Sequence, residues 1–137
     1  MSLELSRRVD WPIIDPAQVV YYPVYWDLAH RFFEESWEKI CGISYPVIIN
    51  EHRLRIPAVT TSSTQHTPLR YADTVCSIHT DTKQGKSSTV WNYSFSDQTG
   101  RLVWTGEVTT VCVDLDSFES VEIPPKFADA LHKFSEN

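Results

Sequence analysis

The sequence predicts an α+β domain in which one long, buried helix packs against an antiparallel sheet. Three observations carry this prediction: helical spacing of apolar residues over 23–41, alternation of period two over 58–114, and Gly-containing separators between the later strands. A sheet and an amphipathic helix bury their apolar faces against each other, which gives a layered α+β architecture. At 137 residues the chain has room for one such domain, residues 1–137.

The first two elements are predicted to be a short edge strand and the long helix. The segment "LELSRRVDW" alternates roughly and indicates a strand at about residues 3–10. Pro23 suits the first helical position, where an N–H would be unpaired in any case. Gly42 is a natural C-terminal stop. Leu28 and Phe32 widen the apolar arc beyond a single stripe, so we expect a deeply buried helix.

Four long strands and a second helix are predicted for the rest of the chain, after an irregular segment at residues 43–55. The strands are "AVTTSSTQHT", "TVCSIHTDTK", "SSTVWNYSFSD" and "LVWTGEVTTVCVD", which are rich in Val, Thr, Ile and aromatic residues. The tight separators "QGK" and "QTGR" predict antiparallel hairpins. The last segment, "PPKFADALHKF", opens with Pro and has helical spacing, which predicts a short C-terminal helix.

Composition disfavours several classes of function. A net charge of −6 leaves no general basic surface for nucleic acid. No apolar run approaches the roughly 18 residues of a membrane span, and the N-terminus lacks a signal-peptide core, so we expect a cytoplasmic protein. Cys41, Cys76 and Cys112 lack the spacing of a metal site or a disulfide framework, and the five histidines are equally scattered, so no metal is expected.

The stretch "WPIIDPAQVVYYPVYWD" sets one carboxylate, Asp15, among apolar residues just before the long helix. Asp before Pro commonly forms a turn by bonding its own backbone, and for Asp15 alone this is the better interpretation. The alternative is a catalytic acid beside the free N–H groups and the positive dipole end of the helix.

The order of elements and four motifs resemble the hot-dog fold, in which a curled antiparallel sheet wraps around one long central helix. The specific likeness is to the 4-hydroxybenzoyl-CoA thioesterase-like family. "DPAQVVYYPVY" at 15–25 is similar to its Asp-Pro-Ala-Gly-Ile-Val-aromatic-Tyr-Pro-x-Tyr stretch, and "PLRYAD" at 68–73 to its Pro-Leu-Arg-Tyr-Gly-Asp. "GKSS" at 85–88 and "DQTGRL" at 97–102 match its Gly-x-Ser-Ser and Asp-x-x-Gly-x-Leu turns. The likeness covers about residues 6–115.

Two glycines of the family pattern are replaced in this chain. Gln18 stands for the first, and because Gly often marks a backbone angle that other residues resist, the path of this loop is open. Ala72 stands for the second, and we expect Ala to fit there as at most strand ends.

The resemblance implies an acyl-CoA thioesterase that hydrolyses the thioester to free acid and CoA. By matching positions, Asp15 is the nucleophile or general base, and the backbone N–H of Tyr22 at the helix N-terminus is the oxyanion donor. It implies no cofactor other than the coenzyme A of the substrate, and a homodimer or homotetramer with active sites between subunits. Expected substrate contacts, for the phosphates or for an aromatic or bulky acyl group, are Tyr25, Trp26, Arg70, Lys83, Lys86, Ser87 and Ser88, with Trp91 as a further acyl candidate. Aromatic residues at core spacing are more often simply core, and ordinary surface charge explains the basic residues equally well.

Two other functions stay open from the sequence. A non-catalytic acyl- or ligand-binding module would use the same scaffold, and a small α+β cone isomerase or dehydratase would have similar length. Among other acids, Glu34 and Glu35 lie on the long helix, but with Asp27, Arg31 and Glu38 they indicate a solvated face. Asp73 and Asp97 occupy turn positions.

Overall fold

A computed structural model describes residues 3–77 and 82–136, without the side chains of residues 74–77, 82, 83 and 136. The α-helices and strands in chain order are β1 (Leu5–Arg8), α1 (Val24–Cys41), α2 (Tyr45–Asn50), β2 (Leu54–Arg55), β3 (Ala58–Gln65), β4 (Thr74–Ser77), β5 (Thr82–Gln84), β6 (Ser88–Ser96), β7 (Leu102–Val111), β8 (Val113–Asp114) and α3 (Pro125–Glu136). The predicted α+β architecture is confirmed.

The main sheet is antiparallel, with the strand order β1-β4-β6-β7-β3, and β5 also pairs with β6. Both predicted hairpins are present, because β5 pairs with β6 and β6 with β7. The strand predicted at 74–83 is described as β4 and β5, and residues 78–81 lie outside the described chain. At one edge, every residue of β3 is exposed.

Helix α1 lies against the inward face of the sheet. It begins at Val24, one residue after the predicted Pro23, and ends at Gly42, which has the left-handed φ of 68° typical of a helix stop. Its buried face meets β6 through aromatic rings, with Phe32 on Phe95 at 5.5 Å and Phe33 on Trp91 at 5.2 Å between centroids. Edge-to-face pairs of this kind add to the apolar burial that fixes the helix on the sheet.

The segment predicted to be irregular, residues 43–55, contains the short helix α2 and strand β2. Ile48 of α2 is completely buried, which explains why the segment folds onto the core. Six residues span fewer than two helical turns, so α2 is too short to give a clear helical period in the sequence.

Both positions where the family pattern has glycine adopt left-handed backbone. Gln18 has φ 65° and Ala72 has φ 70°. For L-residues this conformation costs roughly 1–2 kcal/mol relative to right-handed backbone. The expectation that Ala72 fits its position as at a strand end is therefore wrong, because its turn, closed by the Asp73 N–H donating to the Arg70 carbonyl at 3.1 Å, requires positive φ.

Candidate functional site

The loop that carries Asp15 is a tight turn, as the residue types predict. One carboxylate oxygen, Oδ1, accepts from the Ala17 N–H at 2.8 Å, and the Asp15 carbonyl accepts from the Gln18 N–H at 2.8 Å. Among the described residues, the second oxygen, Oδ2, has no hydrogen-bond or ion-pair partner. The turn therefore fixes the half-buried carboxylate and leaves one oxygen for another partner.

This turn is tied to the N-terminal end of α1. The Val20 N–H donates to the Leu69 carbonyl at 2.9 Å, and the Tyr21 N–H donates to the Ile13 carbonyl at 3.1 Å. The carboxylate shares an open groove of about 300 Å³ with neighbours that are otherwise mainly apolar. The groove is lined by Pro12, Ile13, Ile14, Asp15, Pro16, Tyr21 and Val24.

The backbone N–H of Tyr22 lies just before the helix begins. Within the described chain it has no hydrogen-bond acceptor, whereas the Tyr22 carbonyl accepts from the Tyr25 N–H at 3.4 Å. The positive end of the α1 dipole favours an anion at this point. Tyr22 N–H is thus a free donor at a helix N-terminus, where it can hydrogen-bond an anion.

Exposed aromatic side chains surround this end of α1, and the sequence patterns did not identify them as a group. Trp11, Tyr21, Tyr22 and Tyr71 are between 50% and 64% exposed. They pair edge-on, Trp11 with Tyr71 at 5.9 Å and Tyr21 with Tyr22 at 5.4 Å between centroids. Concentrated exposed apolar surface marks interaction sites. The sequence held an indication of this group, because Trp11 and Tyr21 precede the helix and its amphipathic pattern does not account for them.

Two of the three aromatic candidates for the acyl group belong to the core. Tyr25 is 3% exposed and stacks on Trp104, and its hydroxyl accepts from the Leu69 N–H at 3.4 Å. Trp91 is fully buried, and its Nε1–H donates to Thr110 Oγ1 at 3.0 Å. Burial is also what raises the pKa of Tyr25.

Trp26, the third candidate, lines a separate cavity between α1 and the β3 side of the sheet, with a volume of about 310 Å³. We call this space the α1–β3 cavity. Its lining is mostly apolar and consists of Trp26, Ala29, His30, Phe33, Ile56, Pro57, Ala58, Thr61, Tyr93, Val108 and Thr110.

The β5–β6 hairpin, residues 83–88, is expected to contact coenzyme A and lies at the opposite end of α1 from Asp15. The Lys86 carbonyl accepts from the Ile123 N–H at 2.9 Å, and the Ser87 carbonyl from the Cys112 N–H at 2.7 Å, both near α3. Ser88 begins β6, and its carbonyl accepts from the Gly85 N–H at 2.8 Å. The 18 residues of α1 span about 27 Å, so one protomer does not bring this hairpin to Asp15.

Two further residues, Arg70 and Lys83, were expected to contact the coenzyme A phosphates. Arg70 is exposed in the turn before β4, where its N–H donates to Asp73 Oδ2 at 2.8 Å. The side chain of Lys83 lies outside the described part of the structure.

The alternative acids have partners of their own. Glu34 bonds His30 Nε2 at 3.0 Å, and Glu35 bonds Arg7 at 2.8 Å. Asp97 accepts from the Thr99 hydroxyl at 2.6 Å, and this bond is the main cause that lowers its pKa. These contacts agree with the solvated face and the turn role predicted for them.

The chain belongs to the thioesterase-like superfamily, whose family model matches residues 9–131. This membership and the fold confirm the hot-dog resemblance and exclude the α+β cone. A comparison with curated protein sequences finds no match.

Three solved structures illustrate the likeness. A 1,4-dihydroxy-2-naphthoyl-CoA thioesterase from Synechocystis is 21% identical, with a TM-score of 0.86 over 96% of both chains. A gentisyl-coenzyme A thioesterase is 21% identical, with a TM-score of 0.81 over 92% of this chain and 99% of that one. A Staphylococcus aureus protein solved in complex with CoA is 13% identical, with a TM-score of 0.91 over 100% of this chain and 85% of that one. At these identities the structures share the fold.

Among the described residues, no helix is long and apolar enough to cross a membrane.

Proposed function

We propose that the chain hydrolyses acyl-CoA thioesters at the N-terminal end of α1, with Asp15 as the nucleophile or general base. The observation that carries this proposal is the pairing of two free groups at one helix start. Asp15 keeps one carboxylate oxygen unpartnered among the described residues, and the Tyr22 N–H has no acceptor there. Membership in the thioesterase-like superfamily supports the reaction class.

The chemistry needs only these two functions at the reacting carbon. A carboxylate either attacks the thioester carbonyl or removes a proton from the attacking water, and a backbone N–H stabilises the oxyanion that forms. Collapse of the oxyanion breaks the C–S bond, and CoA leaves as a thiolate that takes up the proton lost by water. On the nucleophilic route the acyl group is left on Asp15 as an anhydride, and a water molecule hydrolyses it to the free acid and the carboxylate. The turn interpretation of Asp15 supports this role, because the bond to the Ala17 N–H holds the carboxylate in one orientation.

The position of the coenzyme A hairpin favours a site shared between two subunits. Strand β3 is an exposed edge, and such edges need covering. The two ends of β3 lie at opposite ends of the site. Gln65 pairs with Trp104, and this end of β3 is near the start of α1. Ala58 pairs with Thr110, and this end of β3 is near the hairpin. Antiparallel pairing of two β3 strands about a two-fold axis would bring Ala58 of the partner subunit beside Gln65. The partner's hairpin would then approach the Asp15 end.

We therefore expect a homodimer as the minimum assembly. A homotetramer built from two such dimers would contain the same shared site. Sedimentation velocity at micromolar concentration should give at least twice the 15.8 kDa chain mass. The His66 N–H donates to Val103 of β7, and because donor direction alternates along a strand, the Ser63 N–H faces the free edge. Ser63→Pro, at the middle of β3, removes this edge donor and should weaken the assembly. Ser94→Ala, on the interior strand β6, is the control and should leave the assembly intact. A stable wild-type monomer would contradict the shared site.

The function itself is tested with a panel of aromatic, branched, short-chain and long-chain acyl-CoAs, monitored for thiol release. We expect catalytic turnover of at least one class, and an aromatic acyl group is the first choice because two structural neighbours are named for aryl-CoA thioesterases. A non-catalytic binding module would instead retain intact acyl-CoA and release no thiol from any member.

A further inference from the structure

The α1–β3 cavity has the size and the walls of a pocket for one substituted aromatic ring. Its volume of about 310 Å³ lies at the lower end of ligand pockets, which range over roughly 300–1,000 Å³. Since a water molecule takes about 30 Å³ of liquid volume, the cavity holds roughly ten non-hydrogen atoms. Trp26 and Phe33 of α1 supply aromatic wall, and Val108 of β7 supplies aliphatic wall.

One polar group in this wall lacks a partner. Tyr93 is 3% exposed and lies on the inward face of β6, between Trp91 and Phe95. In the described chain its hydroxyl makes no hydrogen bond, whereas the buried Tyr25 hydroxyl accepts from a backbone N–H. Its oxygen is not among the fully enclosed unpaired atoms of the described chain, so it is open to a hydrogen bond with a ligand.

The state of this phenol suits a hydrogen-bond donor. Burial raises the pKa of Tyr93 above its ordinary value, and no charged neighbour opposes the shift. The hydroxyl therefore stays protonated throughout the physiological pH range. A neutral phenol in an apolar wall favours a ligand oxygen over a hydrocarbon surface of the same shape.

The cavity also begins close to the proposed reaction site. Trp26, one of its lining residues, lies in the first turn of α1, and Tyr22 lies just before that turn. The proposed reaction site and the cavity are therefore both at the N-terminal end of α1.

We propose that Tyr93 determines specificity by hydrogen-bonding a ring oxygen of an aromatic acyl group that occupies the α1–β3 cavity. This inference rests on the proposed function for the identity of the acyl donor. The bond concerns an atom remote from the thioester, and Tyr93 itself takes no part in bond breaking.

Tyr93→Phe removes only the hydroxyl and is the direct test. The substrates are benzoyl-CoA and the three monohydroxybenzoyl-CoA isomers, and the measured quantity is kcat/KM. For the best hydroxylated isomer, we expect Tyr93→Phe to lower kcat/KM by about ten- to a hundredfold, the usual loss for an unpaired buried polar group. The value for benzoyl-CoA should hold or rise. Ser94→Ala, which removes a hydroxyl from the next residue of the same strand and outside the cavity, is the control.

Binding of the free acids separates this inference from the proposed function. Calorimetry with hydroxybenzoates and benzoate should show the same dependence on Tyr93, even if wild type releases no thiol. Loss of thiol release with this binding pattern intact would remove the proposed function and keep the pocket. If wild type and Tyr93→Phe had the same ratio of kcat/KM between hydroxylated and plain acyl groups, and the same ratio of affinities for the free acids, this result would overturn the inference. So would a Tyr93→Phe effect confined to dimer dissociation, which would mean that a second copy of the chain fills the cavity.

Discussion

Asp15→Asn is expected to slow thioester hydrolysis by about a hundredfold or more, the upper part of what general-base catalysis contributes. The substitution keeps size and polarity but removes the negative charge that attacks the carbonyl or activates water. A nucleophilic role predicts a larger loss. The turn should survive, because an amide oxygen can accept from the Ala17 N–H as Oδ1 does. Acyl-CoA affinity should change little, since the Tyr22 donor is backbone.

Asp114→Asn is the matched control for this experiment. Asp114 also accepts a backbone N–H two residues ahead, from Asp116 at 3.0 Å, and its bonds lower its pKa, but it lies in β8 away from α1. It should leave turnover unchanged. Thermal stability of Asp15→Asn should hold or rise slightly, because a carboxylate in an apolar loop is costly to desolvate. Near-normal turnover in folded Asp15→Asn would remove Asp15 from the mechanism, and Glu34 or Glu35 would be tested next.

Gly106→Ala is expected to be the most destabilising single-methyl change, by about 2–3 kcal/mol, because it overpacks a filled core. A Cβ on Gly106 would lie 2.7 and 2.8 Å from Cζ3 and Cζ2 of Trp104, far inside van der Waals contact. Trp104 has little room to move, since Tyr25 stacks on it and Trp26 and Phe95 pack against it at 5.0 and 4.7 Å. Thermal denaturation should show a midpoint lower by roughly 5–10 °C.

Gly100→Ala separates the crowding from the cost of a methyl group itself. Gly100 has φ 85°, and a Cβ added there would meet nothing within 4 Å, so Ala encounters backbone strain alone. That variant should lose roughly 1–2 kcal/mol. Replacing Trp104 by Phe in the Gly106→Ala background should recover part of the loss, because the smaller ring frees space. Equal stability of Gly106→Ala and wild type would contradict the close packing of Trp104 on β7.

The sequence predicted the elements whose periodicity is long. Helix α1 repeats its apolar spacing over several turns, and β6 alternates over nine residues, so both periods are clear. Helix α2 was missed because six residues carry too little pattern. The left-handed angle at Ala72 was missed for a different reason, since nothing in the residue type Ala indicates positive φ.

The candidate site was predictable only in part, because it depends on distances through space. Asp15 and Tyr22 are close in sequence, and local turn and helix-start chemistry brings them to one end of α1. Tyr93 reads as an ordinary inward strand residue, and its unpaired hydroxyl becomes visible only when its neighbours are known. Tyr25 and Trp26 are adjacent in sequence, yet one belongs to the core and the other lines the α1–β3 cavity. Helical periodicity alone did not separate them.

A single-turnover experiment tests the central claim most directly. Wild-type protein in excess is mixed with the best acyl-CoA of the panel, and free thiol and free acid are quantified together by rapid quench. Thioester hydrolysis predicts that CoA and the acid are present in equal amounts once no substrate remains. Intact acyl-CoA that stays bound to the protein, with neither product formed, would contradict it.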